Sequence, residues 1–201
     1  MENKNEFQTT IVLGIVGILM SVFAIAADAI VQKVNSAQGN AYIILYIGVL
    51  AIGVLYFAAS TTKKQGMLNV INLVTNIIVI VFGAVISIVE YILFTKSTEL
   101  YLLAGSRFAV SLAILVISIL KLVYFFISRN NPQMRNVYKI ISVMAMALIG
   151  AYLVLMITHD SILAYRANLV PQINIFILVG IILLYTFVTF ISPRSEVVEK
   201  N

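Results

Sequence analysis

The sequence predicts an all-α, polytopic membrane bundle of six transmembrane helices, with both termini in the cytoplasm. Three observations predict it. Six apolar segments fill almost the whole chain: Ile11–Val31, Ala41–Ser60, Met67–Phe94, Leu100–Ile127, Val137–Thr158 and Ile173–Ser192. Each is about 20 residues or longer, enough for a helix to cross the hydrocarbon core of a bilayer. Composition agrees, with 62% of residues hydrophobic and 10% charged, where a soluble domain is about half apolar and a quarter charged. The third observation is the placement of charge. One set of alternate loops and helix ends holds Lys4, Lys63, Lys64, Lys121, Arg129, Arg135, Lys139, Arg194 and Lys200. The other holds only Lys33, Lys96, Arg107 and Arg166. The basic-rich side is expected to be cytoplasmic. Acidic residues divide evenly, so the formal charge of +5 belongs to the inner face. Attraction to anionic lipid explains it better than nucleic-acid binding does.

The segments fill residues 1–201 as a single integral membrane domain, leaving no room for a soluble catalytic domain. Glu2 and Glu6 flank Lys4, and the first apolar run continues past Ala24-Ile-Ala26 to Val31. The first segment is therefore expected to remain a helix rather than serve as a cleaved signal peptide. Its Gly14, Gly17, Ser21, Ala24 and Asp28 recur at steps of three and four, which keep them on one helical face. Small residues on such a face let another backbone approach closely in lipid. The second segment, Ala41–Ser60, is a further apolar span.

The third segment carries Asn69, Asn72, Asn76, Gly83, Ser87 and Glu90 on one face. Unpaired amides in hydrocarbon cost roughly 4–8 kcal/mol on water-to-alkane scales, so this face should look inward. The fourth segment shows Arg107, Ser111, Ser118 and Lys121 on a comparable face. The first, third and fourth helices are thus expected to face one another. That would bring Asp28, Glu90 and Arg107 to one depth near the outer side, as an ion-pair staple or as a substrate or ion site. Lys121 is expected to snorkel to the cytoplasmic headgroups. The asparagines serve as interhelical glue or line a polar cavity.

The fifth segment is expected to end at Thr158 and to be followed by a long outer loop, His159–Gln172. Within it, residues 161–170 suit a short helix lying flat in the interface or closing over a cavity. His159 beside Asp160 reads as a capping or solvated pair. The sixth segment is bounded by Pro171 and Pro193; with Pro132 in a loop, no proline interrupts a span. Tyr42, Tyr91, Phe94, Tyr101 and Tyr165 near the outer side, with Tyr124, Phe125, Phe126 and Tyr138 near the inner, form two aromatic belts.

Chemistry is sparse. Cysteine is absent, which removes thiol catalysis and thiolate metal sites. The sequence shows no zinc-helix, Walker, nucleophile-elbow or dinucleotide pattern. No enzyme, cofactor or metal is expected. Two roles fit: a small-solute transport protein or the membrane-embedded substrate-binding subunit of a transporter, or a non-transporting accessory, scaffold or immunity-type protein acting through helix contacts. The expected partners are the bilayer and a membrane protein or a second copy of the chain. In size and helix count the chain resembles the substrate-binding subunits of energy-coupling-factor vitamin transporters. Where those dock through Ala-x-x-x-Ala, this chain has Gly17-x-x-x-Ser21, a generic packing motif, and no residue role carries over.

Overall fold

The computed structural model describes residues 12, 14–16, 18, 19, 22, 47–55, 58, 65–96, 100–131, 133–167 and 173–191. Every regular element among them is an α-helix. The helical residues within 12–22 belong to α1 and those within 47–58 to α2. The remaining helices are α3 (Gln65–Lys96), α4 (Tyr101–Asn130), α5 (Met134–Ala167) and α6 (Ile173–Ile191). Three stretches, Asn69–Lys96, Tyr101–Ser128 and Met134–Leu163, are long and apolar enough to cross a membrane. Ile88, Leu102, Ile140 and Val154 point outward from them, exposed. Apolar helices with apolar outer faces fit a membrane protein, because lipid solvates that surface.

Consecutive helices pack together from α3 to α6, and α6 returns to α3. The α3–α4 hairpin is the tightest approach. A Cβ on Gly83 would stand 2.9 Å from Leu115 Cα and 3.0 Å from its nitrogen. Only glycine lets these backbones meet, which substitutes dispersion contact for the missing hydrophobic force between helices in lipid. The hairpin closes through Leu100, which adopts the left-handed conformation (φ 57°, ψ 29°) and accepts from Ala104 N–H at 3.0 Å. A non-glycine residue there carries steric strain of about 1–2 kcal/mol. The α4–α5 turn is short because Asn131 serves it twice. Its Oδ1 accepts from Gln133 N–H at 3.0 Å, and its carbonyl accepts from Met134 N–H at 3.1 Å.

The core draws on α2 to α6, with Ile52, Val79, Phe82, Ile86, Ile114, Ile149, Tyr152, Met156, Leu178 and Tyr185 buried in it. Gly53 of α2 joins this core from the side: a Cβ there would lie 3.0 Å from Ile18 of α1 and 3.1 Å from the Tyr185 hydroxyl. Aromatic rings gather at both ends of the α3–α5 bundle. Phe94 stacks on Phe108 and meets Tyr101 at a tilt, with Tyr91 beside Phe108; at the other end Phe125 meets Phe126 and Tyr138. Phe108 and Phe125 stand 17 residues apart on α4, about 26 Å at helical rise, close to one hydrocarbon thickness.

Two expectations change. The fifth segment does not stop at Thr158: α5 continues through His159 and Asp160 to Ala167. Polarity ended the apolar run there, but no glycine or proline ends the helix. The expected loop before the fifth segment also shrinks to the Asn131 turn, because α4 and α5 extend beyond their apolar spans.

Candidate functional site

The buried polar residues of α3, α4 and α5 fall into three groups. The first is silent. Ser87 donates to the Gly83 carbonyl at 2.7 Å, Ser111 to Phe108 at 2.7 Å, Ser118 to Ile114 at 2.6 Å and Ser142 to Tyr138 at 2.8 Å. Each hydroxyl is satisfied by the turn before it, the usual accommodation of serine in an apolar helix. These serines are inward-facing but offer no free hydrogen-bonding demand.

The second group is ionic. Glu90 comes inward at the upper end of α3, and Arg107 reaches it from α4, with Nη2 donating to Oε1 at 2.6 Å. Their side chains are 1% and 3% exposed. The same Glu90 oxygen accepts from the Tyr152 hydroxyl of α5 at 2.6 Å. Arg107 Nη1 donates to Asp160 Oδ1 at 2.7 Å and lies 2.8 Å from His159 Nδ1. His159 Nδ1 is in turn 3.1 Å from Asp160 Oδ1. One guanidinium thus joins three helices, using the fork that suits arginine to bind two carboxylates at once. Tyr152 is fixed by an edge-to-face contact with Phe82, their ring centroids 6.2 Å apart.

This cluster corrects the reading of α5. His159 is buried against Arg107 rather than solvated, and Asp160 binds the same guanidinium. The signal was present: Ala145, Ile149, Tyr152, Met156 and His159 recur at steps of four and three, and all are buried. Extending that stripe one step past Thr158 places His159 inside. Asp28, also considered as an Arg107 partner, lies outside the described residues, as do Gly17, Ser21 and Ala24. Gly14 is buried. Ile18 of α1 lies beside Gly53 of α2.

The third group lies toward the other end. Asn69 is half-buried, whereas Asn72, Thr75 and Asn76 are buried. Neither Asn76 Nδ2 nor Oδ1, nor Thr75 Oγ1, has a hydrogen-bond partner among the described residues. Lys121 is 1% exposed, so its stem does not carry the ammonium out to the headgroups as expected. The α3–α4 register sets Gly83 beside Leu115. Seven residues along each helix from that crossing stand Asn76 and Leu122, one residue from Lys121. Thr75, Asn76 and the backbone of Lys121 therefore stand at about one level, with Asn72 about 6 Å further along α3 at helical rise.

Among the described residues no cluster of three His, Cys, Asp or Glu side chains is placed to hold a metal ion. The arrangement places mutually paired charges at one end and an amide and a hydroxyl without described partners at the other. Compared with known proteins, the chain is matched by no protein-family model, no curated protein and no solved structure.

Proposed function

We propose that this chain is a six-span, multi-pass protein of the cell membrane, with both termini cytoplasmic, that binds and moves a small polar solute through the α3–α4–α5 interior. No catalysis or cofactor belongs to this role. The observation that carries it is the Asn76 amide, 1% exposed and without a partner at either polar atom among the described residues. A buried amide left unpaired costs about 1–3 kcal/mol by protein mutational measures. Leucine would fill the same space without that cost. A polar solute or water that accepts from Nδ2 and donates to Oδ1 removes the penalty, and Thr75 adds a third bonding group.

Native mass spectrometry of protein extracted gently from its membrane tests this reading. Wild type is expected to carry a reproducible small-molecule adduct that disappears in Asn76→Leu. An adduct indifferent to Asn76→Leu contradicts the assignment.

A second reading, an accessory protein acting through helix contacts, is favoured by the ionic cluster. Arg107 is held by both carboxylates, as an interhelical staple would be. A fixed homo-oligomer or co-purifying membrane protein, with no adduct, would select it.

A further inference from the structure

The ionic cluster contains a conflict that its carboxylates and guanidinium alone do not have. His159 Nδ1 stands 2.8 Å from Arg107 Nη1, which can only donate, and 3.1 Å from Asp160 Oδ1, which as a carboxylate can only accept. One ring nitrogen cannot serve both. Without a proton, Nδ1 accepts from Arg107 and has no hydrogen to offer the Asp160 oxygen. With a proton, Nδ1 donates to Asp160 and the Arg107 contact is lost. We propose that His159 is a proton-binding site whose loading exchanges its partner from Arg107 to Asp160. The inference rests on the solute-transport reading for its use: it names the proton as the coupling ion.

The rest of the cluster supports the exchange. The titratable and charged groups facing it are Glu90 on α3, Arg107 on α4, and Tyr152 and Asp160 on α5. Arginine contributes one positive charge and the two carboxylates two negative charges. With neutral imidazole the cluster carries one net negative charge. A proton taken up at the Nδ1 lone pair forms an N–H bond, cancels that charge and breaks the hydrogen bond from Arg107. Arg107 remains tied to Glu90 and Asp160, so the cluster loosens without separating. Entry is also provided. Asp160 is 25% exposed whereas His159 and Arg107 are buried, so the carboxylate links the imidazole to the outer surface. Because α4 holds Arg107 and α5 holds His159, proton loading alters a contact between two helices of the bundle.

The chain contains a single histidine, so nitrogen-15 histidine labelling reports this site without assignment. The experiment is NMR of the full chain in lipid nanodiscs across about pH 4 to 9, the range in which imidazole titrates. The neutral ring is expected to carry its proton on Nε2, with Nδ1 accepting, and to convert in one step to imidazolium. Asp160→Asn should move the midpoint by about one pH unit or more, as removal of an adjacent charge does. A neutral ring protonated at Nδ1, or a midpoint unchanged in Asp160→Asn, overturns the proposal. The measurement needs no solute. A switching His159 in a protein without any adduct would retain the proton site and remove the transport reading. A solute adduct beside a non-switching His159 would do the reverse.

Discussion

Arg107 shows why a pair in an apolar bundle must be judged by what remains when one partner leaves. Truncating it strands Glu90, 1% exposed, inside three helices. Breaking a buried pair in this way costs about 3–5 kcal/mol. Arg107→Ala is therefore expected to lower the thermal midpoint strongly in detergent or nanodiscs, and Arg107→Ala/Glu90→Gln should recover part of the loss. Equal midpoints for wild type and Arg107→Ala would remove the staple. At this scale the sequence revealed Glu90 and Arg107 because ionisable groups stand out in apolar spans. It concealed Tyr152, His159 and Asp160 for two reasons. A tyrosine in a span looks like packing, and the apolar run stops one residue before His159. The snorkelling expected of Lys121 also failed, since only packing against neighbouring helices decides whether a long stem turns inward.

Helices rather than residues were the most legible objects. The segments at 67–94, 100–127 and 173–192 correspond to α3, α4 and α6, with ends at Gln65–Lys96, Tyr101–Asn130 and Ile173–Ile191. Hydropathy reads these well because lipid exposure demands continuous apolar surface. It reads the end of α5 poorly, because the helix continues through His159 and Asp160, whose side chains meet the Arg107 guanidinium. The α3–α4 hairpin yields two predictions. A methyl group at residue 83 meets backbone rather than a flexible side chain, so Gly83→Ala should destabilise by about 1–3 kcal/mol, measured by thermal melting. An unchanged midpoint would show that the helices do not approach this closely. At the left-handed Leu100, Leu100→Gly should maintain or raise stability while Leu100→Val lowers it, since branching at Cβ worsens that conformation. The opposite order would contradict the turn geometry.

For the whole molecule, class was legible before any coordinate, because composition and segment length constrain a chain in lipid more than one in water. The orientation expected from loop charge can be tested directly. The absence of cysteine gives single-cysteine labelling no background. In intact cells an impermeant thiol reagent is expected to modify Thr95→Cys, at the exposed C-terminal end of α3, and spare Asn131→Cys in the α4–α5 turn. The reversed pattern would invert the topology.

The proposed solute site requires the bundle to keep a hydrogen-bonding group in its interior at a cost to its own stability. The thermal stability of Asn76→Leu, with no solute added, tests it most directly. Replacing an unpaired buried amide by an apolar side chain of similar size should raise stability by about 1–3 kcal/mol. A fall in stability would mean that Asn76 is already bonded within the folded chain, and the solute site would be contradicted.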